Sequence, residues 1–79
     1  MSEAVRKINE FFRDALNKDI EHIKLEILLS DRQKDVFERF YLRKQDINFI
    51  ADTLGVCPMV INNELKAIRK KLIKIIDNL

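Results

Sequence analysis

Apolar side chains at Val5, Ile8, Phe12, Leu16, Ile20, Ile23 and Ile27 recur at steps of three or four. This spacing lines one face of an α-helix and predicts a helical segment over residues 3–28, with Ser2 as a candidate cap. Asn17-Lys18-Asp19 is the weak point of the segment, so the pattern fits one long helix or two. Phe11, Leu25 and Leu28 lie off the main stripe and widen the apolar face toward a second packing surface. Ser30 followed by Gln33 has the spacing of a capping box, and Asp31 suits the positive end of a helix dipole. The helix they open carries Val36, Phe37, Phe40 and Tyr41 inward and should end near Arg43-Lys44-Gln45. Asp46 is a candidate cap for a helix over 47–54 with Ile47, Ile50 and Leu54 inward. Gly55-Val56-Cys57 then forms a turn. Pro58 suits the first position of a last helix over 58–77, since its missing N–H costs nothing there. The inner stripe of that helix is Ile61, Leu65, Ile68, Leu72 and Ile75 or Ile76, with Ile73 and Leu79 directed elsewhere.

The architecture that follows is all-α, with four or five helices. Nothing in the pattern signals a strand, a repeat or an interior linker. The expected organisation is an N-terminal amphipathic segment over 1–29, for packing or dimerisation, and a second segment over 30–79, together forming a single domain. A chain of 79 residues buries only about 60% of its unfolded surface, which favours a partner or a dimer contact. Phe12, Ile20, Ile23 and Ile27 are the candidate residues for that contact.

Charge sharpens the picture. The net charge is only +2, but it is unevenly spread. Residues 1–30 carry five basic against six acidic side chains, and residues 31–57 carry five of each. Residues 58–79 carry Lys66, Arg69, Lys70, Lys71 and Lys74 against Glu64 and Asp77. The positive excess therefore gathers on the last helix. One cysteine excludes an internal disulfide and fits a reducing compartment. No apolar run exceeds three residues, against the roughly 20 needed to cross a bilayer. The expectation is a soluble, cytoplasmic protein without a signal peptide or membrane association.

The stretch from Ile50 to Ile61 has the layout of a helix-turn-helix. Ala51 is small where two helices would cross, Gly55 follows four residues later at the end of the first helix, and Ile61 comes six residues after that on the inner face of the second. Gly55 is the single glycine of the chain. A helix that stops and turns sharply wants a residue at positive φ just past its end, which glycine supplies without steric cost. A helix-turn-helix exists largely to hold one exposed helix face out to a DNA major groove. With Ile61, Leu65 and Ile68 inward, Asn62, Asn63, Lys66, Arg69 and Lys70 fall on or near the outer face. Asparagine offers adenine a paired donor and acceptor, whereas Lys66, Arg69 and Lys70 suit phosphate contacts that position the helix without reading sequence.

From Leu29-Ser30 to about Leu72 these residues resemble region 4 of bacterial sigma factors, including the extracytoplasmic-function group. The resemblance is carried by the opening Leu29-Ser30-x-Arg32-Gln33-x-x-Val36-Phe37, by Ile50-Ala51 and Leu54-Gly55-Val56, and by the run Ile61-Asn62-Asn63-Glu64-Leu65-Lys66-Ala67-Ile68-Arg69-Lys70-Lys71-Leu72. It covers a little over half of the chain. It implies a helix-turn-helix of sigma region 4 type with an added N-terminal helix. It also implies a DNA-binding transcription regulator, with Pro58, Met59, Asn62 and Asn63 as base-reading residues and double-stranded DNA and RNA polymerase as partners. The chain has no room for the domain with which sigma factors bind core polymerase and melt a promoter. The resemblance is thus to a stand-alone region-4-like protein, of the kind carried by phages and mobile elements of Gram-positive bacteria.

Two departures from the family open a second reading. Apolar Pro58 and Met59 stand where sigma factors usually have polar or charged residues, and Cys57 stands where they have a Ser or Thr cap. Pro58 and Met59 suit a thymine methyl, but their side chains make no hydrogen bonds to base edges. An apolar tip also suits a protein-interaction module that binds RNA polymerase or another transcription or host factor, as a phage-encoded inhibitor would. Neither reading needs catalysis. His22 has no Cys or His neighbour at metal-ligand spacing, Asp31 and Asp35 lie one turn apart on a helix surface, and no glycine loop or nucleophile with a base is present. The expectation is therefore no catalytic residue, no metal, no cofactor and no small-molecule substrate.

Overall fold

The computed structural model describes residues 3–78, and among them it is all-α. Five α-helices follow in order: α1 (Glu3–Asp14), α2 (Asn17–Glu26), α3 (Asp31–Phe37), α4 (Ile47–Leu54) and α5 (Pro58–Asp77). A π-helical turn, Glu38–Leu42, continues α3. Ser2 and Leu79, given roles above as a cap and an outward apolar residue, lie outside the described residues.

The N-terminal segment is two helices, not one. The break falls at Ala15-Leu16, just before the weak point read from Asn17-Lys18-Asp19. Leu16 has extended backbone (φ −85°, ψ 161°), and the Asp19 carboxylate accepts its N–H at 3.2 Å. A side chain three residues into α2 thus restarts the helix by satisfying one of its free N–H groups. The stripe expected through Leu16 fails there, and this leucine is 60% exposed. α2 ends before Ile27, whose extended backbone (φ −81°, ψ 129°) still carries its side chain into the interior.

The chain divides into two compact units, one holding residues 3–28 and 69–78 and the other Leu29–Ile68. In the first unit, Ile8, Phe12, Ile23, Ile27 and Leu72 are buried. Phe12 meets Phe11 edge to face, with ring centroids 5.3 Å apart. Of the four residues expected at a dimer contact, Phe12, Ile23 and Ile27 are therefore spent on the chain's own interior, and Ile20 is half-buried. Lys7 pairs with Asp77 at 3.5 Å, and the Lys71 ammonium donates to the Leu28 carbonyl. Both contacts are exposed, and such a surface ion pair contributes at most about 1 kcal/mol.

In the Leu29–Ile68 unit, the capping box at Ser30 forms as its spacing predicts. Ser30 Oγ accepts the Gln33 N–H at 3.3 Å, and Gln33 Oε1 accepts the Ser30 N–H at 3.2 Å. Val36, Phe37 and Tyr41 turn inward, and Tyr41 packs edge to face against both Phe37 and Phe40. Arg39 donates to the Asp35 carboxylate at 2.8 Å one helical turn away. The π-helical turn closes with the Arg43 N–H on the Glu38 carbonyl and the Gln45 N–H on the Arg39 carbonyl. Lys44 adopts φ +60° to make this closure, a conformation that costs a non-glycine residue roughly 1 kcal/mol.

Candidate nucleic-acid interface

Local chemistry sets both ends of α4. Asp46 Oδ1 accepts the Phe49 N–H at 2.7 Å, a standard side-chain cap of the first turn. At the other end Gly55 is left-handed (φ 69°, ψ 35°). The Val56 N–H reaches the Ala51 carbonyl at 3.0 Å and the Gly55 N–H reaches the Asp52 carbonyl at 3.3 Å. These two bonds are the Schellman pair that satisfies the last carbonyls of a helix. The chain leaves through Val56 and exposed Cys57, and α5 begins at Pro58. Three residues thus join two helices that each carry buried residues: Ile50 and Ala51 on α4, and Ile61, Leu65 and Ile68 on α5.

Gly55 has open space where a Cβ would stand, so its role is conformational alone. Gly55→Ala should cost about 1 kcal/mol through the left-handed backbone, and Gly55→Asn distinctly less, because asparagine tolerates that region. Chemical denaturation of the three proteins checks the ranking. Equal midpoints for Ala and Gly would remove the turn from the list of stability determinants.

The burial of α5 within this unit separates two faces. Ile61, Leu65 and Ile68 are fully buried, whereas Met59, Asn62, Asn63 and Lys66 are exposed. At 3.6 residues per turn those four side chains fall within an arc of about 100° on the side away from the buried stripe. Pro58 is exposed at the helix start. Farther along the same helix, Lys70 is exposed one turn after Lys66, and Arg69 is half-buried. The residues expected to read bases are therefore all accessible. Those expected on phosphate are accessible at Lys66 and Lys70 and only partly so at Arg69.

Sequence reasoning overlooked Phe49. It lies on α4 outside the Ile47, Ile50, Leu54 stripe and is 53% exposed. Its position three residues after the Asp46 cap, out of step with the apolar stripe, was the available signal. With Met59, which is 67% exposed, it gives this unit two large apolar side chains in solvent. Leu54, expected inward, is half-buried. Among the described residues no three His, Cys, Asp or Glu side chains converge as a metal site requires, and no helix is long and apolar enough to cross a membrane. Comparison with protein-family models, curated proteins and solved structures gives no match.

Proposed function

We propose that this chain is a DNA-binding transcription regulator of the sigma region 4-like kind, working inside the cell and placing α5 from Pro58 in the major groove. The observation that carries the reading is the division of α5. A fully buried stripe, Ile61, Leu65 and Ile68, backs an exposed arc of Met59, Asn62, Asn63 and Lys66 immediately after a tight left-handed turn. A helix held in this way presents amide side chains to base edges and ammonium groups to phosphate. Function on this reading is occupancy: the bound protein recruits or blocks RNA polymerase, and no bond is made or broken.

Salt tests the reading. Binding to duplex DNA should weaken steeply as salt rises, because each phosphate contact releases condensed counterions. Lys66→Ala should lower the slope of log K against log salt by about one, with equal loss across sequences. An unchanged slope would take Lys66 off the phosphate backbone.

Exposed Phe49 and Met59 support a second reading, a protein-interaction module that docks on RNA polymerase or another transcription factor. Phe and Met are enriched at the cores of protein interfaces relative to the rest of a protein surface. On that reading affinity for the protein partner barely responds to salt, and Met59→Ala weakens it more than Lys66→Ala does.

A further inference from the structure

We infer that the unit built from residues 3–28 and 69–78 binds a second copy of the chain, twofold, through a groove between the end of α2 and the end of α5. The groove is open, about 230 Å³ in volume, and lined by Glu26, Ile27, Leu28, Lys71, Lys74 and Ile75. Its interior is mainly apolar. Leu28 on its wall is 82% exposed and Leu25, on α2, is 84% exposed. These are the most exposed large apolar side chains among the described residues. Monomeric proteins tolerate scattered exposed leucines, but an exposed leucine on the wall of an apolar groove, as Leu28 is, marks a contact surface.

Charge selects the occupant. Lys71 is engaged by the Leu28 carbonyl. Glu26 and Lys74 line the same groove, yet neither enters an ion pair among the described residues. An acidic partner would leave Glu26 facing like charge, and a basic partner would do the same to Lys74. A twofold copy satisfies both, because an isologous interface brings the same patch against itself in reverse order. Glu26 of each protomer then faces Lys74 of the other, and Leu28 of each enters the apolar part of the facing groove. The contact rests on exposed Glu26, Leu28 and Lys74, with Ile27 on the groove wall, whereas Phe12 and Ile23 take no part in it.

The test is sedimentation of the whole chain from micromolar to millimolar concentration. Wild type should show a reversible monomer–dimer equilibrium. Leu28→Asp should weaken it tenfold or more, the scale of losing one central anchor. Since Leu28 is exposed, the far-ultraviolet circular dichroism should not change. Glu26→Lys and Lys74→Glu should each weaken the dimer, and the double variant Glu26→Lys/Lys74→Glu should recover most of the wild-type affinity. Wild type that stays monomeric throughout, a dimer indifferent to Leu28→Asp, or a double reversal that recovers nothing would each overturn the proposal.

Discussion

Asn62→Ala/Asn63→Ala protein should lose its preferred DNA sequence while keeping its general affinity for duplex DNA. Both asparagines are exposed on the arc of α5 that faces away from the buried stripe. An asparagine that pairs with an adenine edge contributes about 1–3 kcal/mol of discrimination. Each lost contact therefore lowers specific binding by roughly tenfold to a hundredfold. Lys66 and Lys70 remain in the variant, so binding without sequence preference and its salt slope should persist. Selection from a random duplex pool at near-physiological salt measures this directly. Wild type should enrich one motif, and the variant should relax it at the positions the asparagines read. Base analogues then identify the contact. Replacing adenine by 7-deazaadenine removes N7, and should weaken wild type but leave the variant unaffected. Uracil in place of thymine removes the methyl group that Met59 is suited to touch. If wild type enriches no motif while binding a polymerase subunit, the protein-interaction reading takes the place of DNA recognition.

Leu65→Ala should lower stability by about 2–5 kcal/mol, since it deletes a fully buried side chain from the centre of the α5 stripe. Total stability for a domain of this size is on the order of 5–10 kcal/mol, so one such cavity removes a large share of it. At roughly 4–8 °C per kcal/mol, the melting temperature should fall by at least about 8 °C. Thermal denaturation followed at 222 nm measures the shift. Met59→Ala serves as the comparison. It truncates a side chain of similar bulk that is mostly in solvent, and should change stability by no more than about 0.5 kcal/mol. Equal melting temperatures for the two variants would contradict the division of α5 into a buried and an exposed face. The two expectations also separate cleanly: Leu65→Ala acts on folding, and the asparagine pair acts on recognition.

The elements that the sequence made legible are those whose ends rest on local chemistry. Ser30 with Gln33, Asp46 with Phe49, and Gly55 with Val56 each satisfy backbone groups within six residues, and residue type alone announces them. Pro58 marks the start of α5 for the same reason. The exposed face of α5 follows from its buried stripe by periodicity, so the sequence alone places Asn62, Asn63 and Lys66 outward. The break at Leu16 was less legible, because the apolar period runs straight through it. The interruption depends on Asp19 reaching back to a leucine N–H, and leucine carries no sign of a helix start. Lys44 is similar: nothing in a lysine foretells the left-handed backbone it adopts just after the π-helical turn. Phe12, Ile23 and Ile27 fit either interior or partner surface by their spacing alone. Periodicity identifies an apolar face but is silent on whether the same chain or another covers it.

Among the described residues no charged side chain is buried, and apart from Tyr41 the buried side chains are Ile, Leu, Val, Phe and Ala. Swaps among such residues that conserve volume cost less than about 1.5 kcal/mol each. A core of this kind constrains size and spacing far more tightly than identity. Over evolutionary time its letters can turn over almost freely, provided that the period of three and four, the glycine after α4 and the caps stay in place. Descendants of one ancestor could then keep this architecture while sharing few of its residues, and kinship would be read from the rhythm of the chain rather than from its spelling.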